Sequence, residues 1–248
     1  MRESVMFGAA THVGLVRPNN EDNFAIIDHD GSRPCALILA DGMGGHNRGE
    51  LASEIAVDYA QGRLVEEFAS GHSAESLVNV LSDLLEKANV KVYLGSLEEK
   101  NNRGMGTTLL LAVLLEDQII LAHVGDCRAY LLREGELIRL TVDHTLMQEM
   151  LDAGTLTPDE STDHPRRNVL TRALGMPEYI QPDLTSLPSR KGDRLILCSD
   201  GLHGLVSDEE IKTAMRKEKH PADLANKLIQ LALDEGGLDN VTVLAAYL

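Results

Sequence analysis

Apolar residues in this chain fall in short unbroken runs, and several of the runs end alike. Ala36-Leu37-Ile38-Leu39-Ala40 leads into Asp41-Gly42, Ile119-Ile120-Leu121-Ala122-His123-Val124 into Gly125-Asp126, and Leu195-Ile196-Leu197-Cys198-Ser199 into Asp200-Gly201. A run of that length reads as a buried strand, so each aspartate stands where a strand leaves the core. The adjacent glycine lets backbone come close to a ligand. Carboxylates carried to one rim of a sheet repel one another unless a cation gathers them. Oxygen-only ligands suit hard ions such as Mg²⁺ or Mn²⁺.

The same patterning predicts the other elements. Val5 to Val13 and Asn23 to Asp28 read as strands, separated by the turn-rich segment from Gly14 to Asn20. Ala52, Ile55, Ala56, Tyr59 and Ala60 recur at helical spacing, as do Leu77, Val80, Leu81, Leu84, Leu85 and Ala88. Thr107 to Leu115, Gln118 to Val124, Cys127 to Leu132 and Leu137 to Leu140 predict an antiparallel meander. From Asp143 to Gly175 the chain turns polar and mixed, which reads as short helices and loop outside the main core. Strands resume at Asp183 to Leu187 and Asp193 to Ser199. Ser207-Asp208-Glu209-Glu210 has capping-box spacing, Pro221 fits the first turn of a further helix that Gly236-Gly237 ends, and a last strand runs from Val241 to Tyr247. Strands and helices come in blocks, which favours α+β with layered antiparallel sheets over a parallel doubly wound fold.

Composition narrows the function. At 248 residues with 43% hydrophobic residues the chain can bury a sizeable core, and one large domain is expected. No apolar stretch reaches the roughly 18 residues that span a bilayer, and Met1-Arg2-Glu3-Ser4 does not open a signal peptide, so a soluble cytoplasmic protein is expected. A formal charge of −16 and 3% aromatic residues argue against nucleic acid or an anionic membrane as partner. Cys35, Cys127 and Cys198 form no Cys-x-x-Cys pair, which fits a reducing compartment. An acidic chain acting on phosphate esters would need local cations.

The acidic residues at strand edges are Glu21, Asp22, Asp41, Asp126, Asp200 and Asp239. Their surroundings are Gly14-Leu15-Val16-Arg17 with Asn20-Glu21-Asp22, Asp41-Gly42-Met43-Gly44-Gly45, Gly106-Thr107-Thr108, Val124-Gly125-Asp126-Cys127-Arg128, Ser199-Asp200-Gly201-Leu202 and Asp239-Asn240-Val241-Thr242. In this order they resemble the metal-dependent serine/threonine protein phosphatases of type 2C, the PPM family, over almost the whole chain. Arg166 to Gly175 resembles the segment after the flap in compact bacterial members.

The resemblance implies an α-β-β-α sandwich, with two central antiparallel sheets flanked by helices. One catalytic domain spans residues 1–248, with a flap at about 144–168 near the active site. It implies two Mn²⁺ or Mg²⁺ ions in the core site and a weaker third. Asp41 matches the carboxylate that bridges two ions, Gly42 a carbonyl ligand and Glu21 a ligand beside it. Asp200 and Asp239 match ligands of the other ion, and Asp126 the acidic residue of the third site. Asp22 has two readings, a ligand or an acceptor that fixes a water behind the ligands, and Asp126 could instead hold a turn. Arg17 matches the guanidinium that grips the substrate phosphate, its planar fork suited to two oxygens.

The implied reaction is hydrolysis of phosphoserine and phosphothreonine by a water that two ions share, with no cysteine or serine nucleophile. Phosphorylated proteins are the expected partners, including a bacterial Ser/Thr kinase and its targets, and the enzyme is expected to act as a monomer. A silent binding module is the competing class, and the presence of Asp41, Asp200 and Asp239 argues against it. Thr107 and Thr108 read as structural, His123 as a core histidine, and His144 and His164 as surface-loop residues. Cys127 reads as a possible oxidation-sensitive thiol. Met43 stands where animal relatives carry a histidine thought to protonate the leaving group; a metal-bound water is the preferred donor in its place, with His46, three residues on, as the alternative.

Overall fold

The computed structural model describes residues 4–44, 48–71, 73–157, 166, 169–177 and 179–248. Its strands are β1 (Met6–His12), β2 (Asp22–His29), β3 (Ser32–Met43), β4 (Gly106–Thr107), β5 (Leu109–Leu114), β6 (Gln118–Val124), β7 (Arg128–Arg133), β8 (Glu136–Arg139), β9 (Asp183–Pro188), β10 (Arg194–Cys198) and β11 (Val241–Tyr247). Its helices are α1 (Gly49–Ser70), α2 (Ala74–Glu98), α3 (Leu146–Asp152), α4 (Asp200–His203), α5 (Asp208–Lys217) and α6 (Pro221–Asp234). One sheet has the order β1-β11-β10-β7-β8 and the other β2-β3-β5-β6-β9, with β4 beside the end of β3. All strand pairs are antiparallel.

Strand alternation explains the four layers. Along β3, Ala36, Ile38 and Ala40 pack with α1 and α2, while Cys35, Leu37 and Leu39 meet the other sheet. Along β10, Ile196 and Cys198 face α4 to α6, and Leu195 and Leu197 face inward. Both faces of β3 and β10 are therefore buried, which is why the sequence shows unbroken apolar runs there. The result is the expected α-β-β-α sandwich. The Ser207–Glu210 capping box and Pro221 in the first turn of α6 sit where the pattern placed them.

The expected meander is corrected. The β5–β6 hairpin belongs to one sheet and the β7–β8 hairpin to the other. Between them Gly125 takes φ of +111°, a backbone that side chains rarely adopt, and the chain crosses from sheet to sheet at Gly125-Asp126-Cys127. The stretch from Thr107 is likewise two strands, because the Thr108 amide bonds Asp41 O at 2.9 Å and interrupts the ladder. The segment up to Gly175 is also not all outside the core. Ala173 and Leu174 are buried, and Leu174 pairs with Thr107.

Candidate active site

The crossover and the strand ends meet at one rim of the sandwich. Asp41 shares the side-chain parity of Leu37 and Leu39, so it opens between the sheets, and Asp22 lies directly across from it in the β2–β3 register. Asp126 sits on the crossover, Asp200 begins α4, and Asp239 precedes β11. Arg17, Glu21, Asp41, Gly42, Asp126, Asp200 and Asp239 line one pocket of about 870 Å³. Gly42 is required by crowding, since a Cβ there would stand 2.2 Å from Gly49 O and 2.6 Å from Glu21 O.

Hydrogen bonds fix the backbone of these residues. The Asp41 amide donates to Thr108 Oγ1 at 2.8 Å, and Thr107 Oγ1 donates to Asp41 O at 2.9 Å. Asn240 ties the loop from Arg17 to Glu21 onto the start of β11. Its Oδ1 accepts from the Glu21 amide at 2.8 Å, and its Nδ2 donates to Val13 O at 2.9 Å and Asn19 O at 2.8 Å. Asp22 Oδ2 accepts from Ser199 Oγ at 2.8 Å and Thr242 Oγ1 at 2.6 Å. Thr107 and Thr108 are structural as expected. The positioning roles of Asn240, Ser199 and Thr242 escaped the sequence, although all three stand in or beside the motifs.

Burial and mutual charge set the proton affinities of the cluster. Burial, then the charges of its acidic neighbours, pushes Asp22 up to about 7, Asp126 to about 8 and Asp200 to about 6. Burial and the charges of Asp22, Asp200, Asp126 and Asp239 hold Asp41 well above the usual carboxylate range. Asp22 Oδ1 is shielded and makes no hydrogen bond. A set of hard oxygen donors so strained by mutual repulsion fits divalent cations of the Mn²⁺ or Mg²⁺ class.

Arg17 lies on the pocket wall, where its Nη2 donates to Asp239 Oδ2 at 2.7 Å. Met43 lines the same pocket, and its thioether has no proton to give. Gly45, His46, His164, Arg167 and Asn168 lie outside the described residues. All three cysteines are buried and free. Burial pushes Cys35 and Cys198 up to about 12 and Cys127 well above its usual value. Cys127 is thus an inert thiol against Thr108 Oγ1 at 3.2 Å, which corrects the oxidation-sensitive reading.

His144 is also corrected, because it is buried at 1% exposure beneath the rim. Its amide donates to Gly125 O at 3.0 Å, and its Nδ1 accepts from the Gly125 amide at 3.1 Å. It stacks on the buried His123 with ring centroids 4.6 Å apart. His144 Nε2 has Asp183 Oδ2 at 3.3 Å but no hydrogen bond, and Asp183 Oδ1 accepts from Arg172 Nη1 at 2.7 Å. His123, His144 and Asp183 bring ligand-type atoms within 4.8 Å of one another. They do not suit a metal: the Gly125 amide uses the Nδ1 lone pair, so the neutral His144 ring carries its hydrogen on Nε2. The group is a clasp between the crossover and β9.

The far wall of the pocket comes from the segment Leu170 to Gln181, which the sequence did not mark as site-forming. Asn89, a buried residue of α2, holds it. Its Oδ1 accepts from the Gly175 and Met176 amides at 2.8 and 3.1 Å, and its Nδ2 donates to Met176 O at 3.0 Å. No periodicity signals an asparagine that bonds to a loop so distant in sequence.

A carboxylate rim of this kind at the end of an α-β-β-α sandwich defines a class of metal-dependent phosphoester hydrolases. Residues 16–237 match the family model described as protein phosphatase 2C. The chain belongs to the protein phosphatase 2C family of serine/threonine phosphatases. It is 37% identical over 234 residues to the serine/threonine phosphatase stp of Listeria monocytogenes, covering 94% of this chain and 92% of that protein. It is 41% identical over 247 residues to the serine/threonine protein phosphatase PstP of Mycobacterium tuberculosis, covering 97% of this chain and 44% of the longer relative. The crystal structure of the M. tuberculosis phosphatase PstP/Ppp superposes with a TM-score of 0.88 at 38% identity, covering 99% of each chain. A structure of the PstP catalytic domain in complex with 2 manganese ions superposes with a TM-score of 0.85 at 37% identity, covering 98% of each chain.

Proposed function

We propose that this chain hydrolyses phosphoserine and phosphothreonine in proteins with Mn²⁺ or Mg²⁺ held by the rim carboxylates. In this reading Asp41, Glu21, the Gly42 carbonyl, Asp200 and Asp239 would hold the core ions. Asp126 would hold a weaker third. Asp22 supports the set as an acceptor, or ligates directly. The observation that carries the reading is the convergence of Asp22, Asp41, Asp126, Asp200 and Asp239 on one rim, where burial and neighbouring acidic charges raise the proton affinity of Asp22, Asp41, Asp126 and Asp200. The two-manganese structure of a relative of the same fold supports it.

Bound ions would supply positive charge that acidifies a water and offsets charge on the phosphoryl oxygens. The protein's own residues do the rest. Arg17, fixed at one end by Asp239, holds the phosphate in a set orientation. Thr107 and Thr108 keep Asp41 in place, and Asn240 keeps the Arg17–Glu21 loop on the rim. Met43 leaves the leaving group to be protonated from elsewhere.

By the same reading the chain is a single catalytic domain, and the flap read at about 144–168 runs into residues outside the described ones, with His144 at its start buried in the clasp. The chain acts as a cytoplasmic monomer against the products of a Ser/Thr kinase. Among the described residues no helix is long and apolar enough to cross a membrane. Exhaustive chelation should abolish hydrolysis of a phosphothreonine peptide, and Mn²⁺ should restore it. Full activity in the chelated protein would refute the proposal.

A further inference from the structure

The pocket is larger than the phosphate reaction needs. At about 870 Å³ it matches sites that enclose whole small molecules, roughly 300–1,000 Å³, and exceeds what a phosphoryl group fills. Its walls also differ. Besides the carboxylates, Leu170, Met176, Tyr179 and Ile180 line the same space, and Met176 and Tyr179 are 42% and 75% exposed.

Hydrogen bonds tie the described residues of this exposed apolar wall to the rest of the fold. Asn89 bonds both sides of the Met176 peptide, Leu174 pairs with Thr107, and Arg172 Nη1 donates to Gln181 O at 2.9 Å. Tyr179 OH donates to Glu86 Oε1 at 2.9 Å, which pins the tip of a ring whose face stays open. Large apolar side chains presented by an ordered backbone bind with little loss of conformational freedom.

We propose that the Met176–Tyr179 wall is a specificity subsite that receives an aliphatic or aromatic side chain flanking the phosphorylated residue of a protein substrate. The inference rests on the phosphatase reading and adds the substrate class. Continuity supplies the occupant: a peptide whose phosphate reaches Arg17 must lay its neighbouring residues along the rest of one pocket. Charge narrows the choice. An acidic neighbour enters a protein of net charge −16 beside its carboxylate rim, and a basic neighbour would lay its ammonium against the apolar side chains of Leu170, Met176, Tyr179 and Ile180.

The test uses phosphothreonine peptides that differ only in the residues flanking the phosphothreonine: leucine, glycine, lysine or glutamate. With Mn²⁺ present, the wild-type kcat/KM for the leucine peptide should exceed that for the glycine peptide by about tenfold, with lysine and glutamate no better than glycine. In the Met176→Ser/Tyr179→Ser double variant the leucine-to-glycine ratio should fall to about twofold or less. Each single variant should lower it by about threefold, and because the ratio is internal to one protein, a general loss of activity cancels. A wild-type ratio near one, a ratio that survives the substitutions, or a preference for lysine or glutamate would overturn the subsite while leaving the phosphatase reading intact. Failure of the wild type to hydrolyse any of the peptides would overturn both.

Discussion

On one side of the pocket, Asp41 and Asp200 continue strands buried on both faces, and their neighbours are held by backbone ladders. On the apolar side, Met176 and Tyr179 belong to a segment whose described residues form no strand or helix, held by the side chains of Asn89, Arg172 and Glu86. The first wall has its geometry from the sheets, so a substitution at its tip changes chemistry more than fold. The second wall has its geometry from a few side-chain bonds, so loss of one of them alters shape. A site can thus hold its reacting groups on the stiffest part of a molecule and its selecting groups on a part that sequence change reshapes at small cost.

The largest effect that distinguishes the walls is expected at the carboxylates. Asp41→Asn or Asp239→Asn should lower kcat on a phosphopeptide by a hundredfold or more, with a thermal midpoint no lower than wild type, because each relieves repulsion in the rim. Near-normal turnover in either variant would break the comparison. Asn89→Ala should do the reverse, costing roughly 2 kcal/mol in urea unfolding by leaving part-buried backbone groups of Gly175 and Met176 without their partner. If its unfolding midpoint is unchanged, the far wall is not held as described.

His144 joins the two walls, since it bonds Gly125 beside Asp126 and faces Asp183, which Arg172 grips. Burial and the nearby His123 and Arg172 hold its proton affinity down to about 4, against pulls from Asp183. The unfolded chain therefore binds the proton more tightly than the fold does. Stability from this group is whole above about pH 6.5 and declines as the pH falls toward 4. Relative to His144→Gln, the wild type should lose about 2 kcal/mol more between pH 7.5 and 5. Parallel pH profiles would remove His144 from the clasp. The smallest effect is expected at Arg17, where Arg17→Ala should raise KM by about tenfold and leave Mn²⁺ affinity within about threefold. An unchanged KM would mean that Arg17 serves only Asp239.

The acidic wall was legible in the sequence because its cause is local: an apolar run ends in an aspartate, and a glycine follows where backbones crowd, as at Gly42. The four layers were legible for a related reason, since β3 and β10 are apolar on both faces. The split of the meander was not, because Gly125 reads as an ordinary turn glycine until its φ of +111° carries the chain to the second sheet. His144 looked like a loop residue in a polar stretch, and only the tertiary bonds to Gly125 bury it. The apolar wall was hidden for the same reason, as Asn89 and Met176 are brought together by the packing of α2.

The central claim is that the rim carboxylates are the metal site that drives hydrolysis. Calorimetric titration of chelator-stripped protein with Mn²⁺, wild type against Asp41→Asn, tests it most directly when turnover of a phosphothreonine peptide is followed at the same metal concentrations. The account predicts that wild-type turnover rises in step with Mn²⁺ binding, and that Asp41→Asn weakens binding by at least tenfold and turnover by a hundredfold or more. Wild-type Mn²⁺ affinity in Asp41→Asn, or turnover that does not follow binding, would contradict it.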